Sequence, residues 1–398
     1  MGNIDIMNRS RIDSSVWLSY GFRLFFLLAA LWSMGTMATW MFILDGHWQA
    51  TTFLTPALWH AHEMLFGFVS ASAAGFLLTA SPNWSKKPAL TGIPLLLMLL
   101  FWIIGRLAVA SAVWWPAGLV AVLDLLFPVA LMIVIGSTLW YTGNPMHRIF
   151  PVLLGLIVIS NGLVHSEAVG WTADTARMGL YLGIDAMVFF LVMVGGHVMP
   201  MFTRMALPAD NLPPFKVIPL LEIAGAVTMI GVVLGDIFYL DQPIAAPFLI
   251  AAGLVQGVRL SQWHSLKSVH QPLLWVLHLG YGWLVMGLIV RGLAQMTLFI
   301  PPSAAMHALS VGAMGLFILG IISRISLVHT GRALLAHPAM TTAYSLVAAA
   351  ALIRVFGVAW WPLWSLRLSG LLWVVAFGLL LVRILPVLLR PRPDGQPG

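Results

Sequence analysis

Apolar runs of about 20 residues, each long enough to cross a bilayer as a helix, recur along this chain with brief polar breaks between them. Twelve can be marked: Phe22–Leu44, Ala57–Ala80, Leu90–Ala110, Trp114–Trp140, Ile149–Val169, Gly179–Met201, Val217–Leu240, Ile244–Trp263, Pro272–Ala294, Ser303–Ile325, Thr341–Val358 and Leu363–Leu389. The connections are rich in Pro, Gly and Trp, as in Ser81-Pro82-Asn83-Trp84 and Pro208-Ala209-Asp210. None is long enough to separate two domains. The pattern predicts one all-α integral-membrane domain over residues 1–398. It is a polytopic bundle of about 12 transmembrane helices, spanning about 22–389, with short tails.

Composition agrees. Of 398 residues, 60% are hydrophobic and only 8% charged, with a mean hydropathy of +0.96; a soluble core of this size carries many more charges. The net charge of +7 is spread singly between apolar runs, which speaks for loop charge in a membrane protein and against nucleic acid. Cysteine is absent, so disulfides, thiolate metal sites and cysteine-held iron–sulfur clusters are excluded together. The polar stretch Met1–Ser15 lacks the layout of a cleavable signal sequence, so the first apolar run is expected to stay as a helix.

The breaks alternate in charge. Arg9, Arg11, Arg23, Lys86, Lys87, Arg148, Arg204, Lys216, Lys267, Arg324, Arg332, Arg383, Arg390 and Arg392 fall at one set of ends, and Asp45, Glu167, Asp174, Asp236 and Asp241 at the other. By the positive-inside rule both termini are cytoplasmic, N-in/C-in.

Eight of the 12 histidines lie in or beside the apolar runs, where ionisable groups are costly and point to function. His60, His62, His165 and His307 fall at the outer face, with Glu63 and the nearby Glu167. His197, His264, His278 and His329 fall at the inner face. His307 and His329 are 22 residues apart, about 33 Å along a helix, too far to share a metal. Imidazole is the commonest transition-metal ligand, and three helices bring the outer four to one depth; a histidine taken alone at a helix end is more often an interfacial hydrogen-bonding group than a ligand. His60 and Glu63 share a helix face. His62 points about 200° from His60, so both reach one centre only if the helix start is unwound. Otherwise they serve different neighbours. Arg106, Arg291 and Arg354 at outer helix ends, and Arg23, Arg259, Arg324 and Arg332 at inner ones, suit carboxylates such as haem propionates or snorkel to headgroups. Asp124, Asp185 and Glu222 inside the spans are candidate proton groups or partners of those arginines.

Gly21-Phe22-Arg23-Leu24-Phe25-Phe26, Trp59-His60-Ala61-His62-Glu63-Met64, Pro200-Met201-Phe202-Thr203, Leu277-His278-Leu279-Gly280-Tyr281 and His329-Thr330-Gly331-Arg332 together resemble the NnrS family, across nearly the whole chain. The resemblance implies a twelve-helix bacterial inner-membrane protein containing haem and copper and tied to the nitric oxide response. His60, His62, Glu63, His165, His278, His307 and His329 match its pattern, while His197 and His264 depart from it. The expectation is reduction of nitric oxide to N₂O, with Glu63 supplying protons and His60, His62, His165 and His307 holding metal. His278, His329, His197, His264, Arg23, Arg259 and Arg332 are the residues expected to bind a second cofactor. The cofactors implied are haem b with copper or non-haem iron; the partners are nitric oxide, membrane lipid and quinol or another electron donor. A transporter, a sensor, or a metal-handling factor protecting against nitrosative damage stays open as an alternative.

Overall fold

In a computed structural model, residues 16–47, 52–207, 218–239 and 243–396 are described, and among them there is helix and no strand. Arg9, Arg11, Lys216 and Asp241, which enter the charge pattern, lie outside these residues. Twelve helices are long and apolar enough to span a membrane: α1 Gly21–Leu44, α2 Pro56–Ser85, α3 Ile93–Ala110, α4 Ala117–Leu139, α5 Pro145–Val169, α6 Thr175–Ala206, α7 Pro219–Phe238, α8 Pro243–Ser261, α9 Pro272–Met296, α10 Pro302–His329, α11 Pro338–Ala359 and α12 Pro362–Leu389. A lipid-facing backbone must satisfy its own polar groups, which is why helix is the form these runs take. Many begin with proline in the first turn, including α2, α9, α10, α11 and α12. There the missing N–H costs nothing and the fixed φ favours helix.

Successive helices pack as neighbours, and α1 also packs on α12, so the chain closes on itself. Trp373 of α12 donates its indole N–H to the Ser33 hydroxyl of α1 at 2.8 Å. Inside lie α2 and α10, 89% and 94% buried against 28% for α1. They touch each other, and α6 lies against both.

The same two helices are irregular. Each opens with an α-helical turn and then widens into a π-helical stretch, Glu63–Val69 in α2 and Ala308–Gly315 in α10, before returning to α. Such wide turns shift the register of all that precedes them and concentrate at functional sites. The connection expected at Ser81-Pro82-Asn83-Trp84 is still helix: α2 runs through Pro82 to Ser85, as α6 runs through Pro200. Pro82 lies in the last turn of α2, where few hydrogen bonds remain to be lost.

Candidate functional site

His60 and His62 stand in the regular first turns of α2, so their side chains leave on opposite faces. The structure resolves the sequence alternative accordingly. The four outer histidines do not meet at one point; they form two pairs.

His62 belongs to a buried polar cluster spread over α1 to α5. Glu63, the first residue of the π stretch, accepts three donors: Trp32 Nε1 at 2.9 Å, Arg106 Nη1 at 2.7 Å and His62 Nδ1 at 3.0 Å. Arg106 also pairs with Asp124 through its other terminal nitrogen. Asp124 Oδ2 accepts Asn161 Nδ2 at 2.8 Å, and His165 Nε2 stands 2.9 Å from it. His62 Nε2 lies 3.2 Å from that same oxygen and 3.0 Å from Asn161 Oδ1. Two glycines make room: a Cβ on Gly67 would strike the Trp32 indole, and one on Gly105 would lie 2.9 Å from Asp124 Oδ1. Trp102 donates to the Gly67 carbonyl at 3.1 Å, anchoring the widened turn.

The chemistry of the cluster follows from His62. Its Nδ1 faces a carboxylate that is already an acceptor, so it carries a proton. Its Nε2 then faces two oxygens, and that contact needs either a second proton or a cation. His62, His165 and Asp124 each offer one ligand atom, and these atoms lie within 4.8 Å of one another. Two imidazoles and one carboxylate are the ligand set of non-haem iron sites with open positions, and a carboxylate on the far nitrogen of a ligand histidine is the usual orienting partner. Glu63 occupies that orienting position.

His60 and His307 face a different space. Together with Arg354 of α11 they line a cavity of about 280 Å³, about 1200 Å³ of atom-free space when its mouth is included. Its walls are apolar and soft: Met37, Trp40, Met64, Phe68, Met314 and Trp373 among them. His60 stacks on Trp40, centroids 4.7 Å apart and planes 16° from parallel, and its Nδ1 is buried without a partner. His307 Nδ1 donates to the Ser303 carbonyl at 2.6 Å, which leaves Nε2 as the free lone pair. Arg354 Nη1 is also buried and unpartnered. Two free imidazole nitrogens, a spare guanidinium N–H and aromatic walls are what a haem with its propionates requires.

Residues 16–392 match the family model described as NnrS protein. The chain belongs to the NnrS family. It is thus a multi-pass membrane protein of the nitric oxide response. No curated protein matches it.

The remaining predicted residues of this NnrS protein are engaged one by one. His278 is buried with both ring nitrogens occupied, by the Thr203 hydroxyl at 3.2 Å and the Ser265 hydroxyl at 2.8 Å. His329 packs its ring on Phe22 at 5.6 Å. His264 forms the left-handed corner of the α8–α9 turn, with φ of 53°. His197 lines an inner cavity with His147, Trp84 and Arg259. Arg23 donates to the carbonyls of Leu388 and Arg390 at 2.6 and 3.0 Å, capping α12. Arg259 grips Glu222 with two nitrogens at 3.1 and 2.7 Å and also donates to Gln256 and Tyr281. Arg332 donates to the Thr330 carbonyl. Glu167 accepts the Ala176 amide at 2.7 Å and so caps α6 instead of joining the outer cluster. The suspicion that Asp124, Asp185 and Glu222 partner the membrane arginines matches what is seen, with Arg106, Arg291 and Arg259 respectively. Sequence reasoning missed Asn161 and Trp32. Asn161, a buried amide inside an apolar run, carried a signal; Trp32, one of 18 tryptophans, carried none.

Proposed function

We propose that this NnrS protein sits in the bacterial inner membrane and reduces nitric oxide, 2 NO + 2 e⁻ + 2 H⁺ → N₂O + H₂O, with electrons from quinol or another donor. The observation that carries the reading is the cavity between α2 and α10. There His60 and His307 offer free ring nitrogens beside the unpartnered Nη1 of Arg354.

In this reading His60 and His307 hold haem b and Arg354 takes its carboxylate, while His62, His165 and Asp124 hold the second metal. Their nitrogen and oxygen donors suit iron better than copper(I), which favours thioether or thiolate. When bound, the haem supplies electron transfer and the second metal supplies open positions for nitric oxide. Glu63 keeps the proton on His62 Nδ1, so that Nε2 stays a lone pair. Trp32 and Arg106 hold Glu63 in that posture. Arg106 offsets the charge of both carboxylates, and the apolar walls keep bulk water away. Glu63 therefore acts through His62, as a positioning residue.

The test is a visible spectrum and metal analysis of the purified protein and four variants. His60→Ala and His307→Ala should each abolish the Soret band. His62→Ala and His165→Ala should keep that band but lose the non-haem metal and nitric oxide consumption. Colourless, metal-free wild-type protein that still consumes nitric oxide would overturn the proposal.

A further inference from the structure

A second buried ion cluster lies at the other side of the bundle and takes no part in the chemistry above. Arg291 of α9 donates through Nη1 to Asp185 Oδ1 of α6 at 2.6 Å and through its other terminal nitrogen to Asp236 of α7. Its guanidinium also lies over the Tyr181 ring, 4.8 Å from the centroid. The three side chains are exposed by only 0–3%.

The charges do not balance. In the His62 cluster two carboxylates face one guanidinium and an imidazole able to carry a second positive charge. Here two carboxylates face one guanidinium and a neutral phenol, and no histidine or lysine contacts them among the described residues. A net negative charge in so dry a setting is strongly disfavoured. The geometry names the remedy. Asp185 Oδ2 and Asp236 Oδ1 are both buried with no hydrogen-bond partner, while the other oxygen of each carboxyl group is held on the same guanidinium. Two buried carboxylates gathered on one cation are relieved when one of them holds a proton, as in paired carboxyl sites generally.

A route to water adjoins the pair. Tyr181 and Arg291 line a cavity of about 320 Å³ that reaches Thr297 and Leu298 in the α9–α10 connection. Gln295 lines it too, and both its amide atoms lack protein partners, the condition under which ordered water fills a polar cavity. Met306 is common to this cavity and to the one holding His60 and His307.

We propose that Asp185 and Asp236 share one exchangeable proton, loaded from the α9–α10 side through the Gln295 cavity and delivered past Met306 for nitric oxide reduction. The delivery step rests on the function proposed above; the shared proton does not.

Infrared spectroscopy of the full-length protein in lipid tests the proton. A carboxylic-acid carbonyl band that shifts in heavy water should be present, and both Asp185→Asn and Asp236→Asn should remove it. Either variant keeps Arg291 paired with one carboxylate and should fold; the double variant strands the guanidinium and should not. Absence of the band, or stability that depends on sodium ion in its place, overturns the shared proton. For delivery, Asp236→Asn should lower nitric oxide consumption by about a hundredfold, the scale of a lost proton donor, with its visible spectrum unchanged. Undiminished consumption overturns delivery. If wild-type protein consumes no nitric oxide at all, the function itself has failed, and the infrared result still decides the shared proton.

Discussion

Arg106 is the residue on which the most other charges depend. It joins Glu63 to Asp124, and through them His62 and His165. Replacing it with leucine leaves two buried carboxylates facing each other with only an imidazole between them. Removing one partner of a buried pair costs about 3–5 kcal/mol, so Arg106→Leu should lower the thermal midpoint in detergent sharply. Adding Glu63→Gln to that variant should recover part of the loss, because the residues couple directly; strictly additive losses would show that the two are independent. His329→Ala makes the opposite kind of prediction. Among the described residues its ring packs on Phe22, so the visible spectrum should match wild type, and loss of a haem band would restore it as a ligand. Much at this scale was legible beforehand. Charged and imidazole groups inside apolar runs stand out, and the 100° step per residue already separated His60 from His62. The pairings were less so, because Asp124 and Arg106 meet only through the α3–α4 hairpin and nothing local marks which arginine a carboxylate will find.

Between residue and bundle stand the two π stretches, and no sequence signal announced them. Glu63–Val69 reads as ordinary apolar helix; what widens it is tertiary, Trp102 holding the Gly67 carbonyl and Trp32 lying where a Cβ would be. Gly67→Leu should therefore break the Trp32–Glu63 bond, at a cost of about 1–3 kcal/mol from overpacking, and perturb the His62 cluster. Gly118→Leu, facing open space, should do neither. Equal effects from both would show that Gly67 matters only as helix backbone. Pro82 misled in the opposite direction. Ser81-Pro82-Asn83-Trp84 reads as a connection, yet proline in a last turn leaves few hydrogen bonds to lose, and α2 continues to Ser85.

Across the whole bundle, hydropathy made twelve spans readable, since 20 apolar residues have few other uses. It did not reveal which spans would be central. The burial of α2 and α10 becomes intelligible only with their small residues in view, such as Gly75 against Phe26 and Gly312 against Trp283, which let neighbours approach closely. Loop charge still predicts the sense of the bundle. Reporter fusions should find the Lys86–Lys87 connection cytoplasmic and the connection at Asp174 external, with the His60–His307 cavity opening outward; an external Lys86–Lys87 connection would invert the whole arrangement.

The closure of α1 on α12 carries a consequence for biosynthesis. The cavity wall takes Met37 and Trp40 from α1, Arg354 from α11, and Gly370 and Trp373 from α12, so it cannot exist until the last helix has left the ribosome. Arg23 waits equally long for the carbonyls of Leu388 and Arg390. On the proposed function, cofactor loading is then post-translational, and a nascent chain stopped after α11 should accept no haem however well its earlier helices insert. A circular permutant that joins the old ends and opens a polar connection elsewhere should keep the finished site while changing which helix the cell makes last.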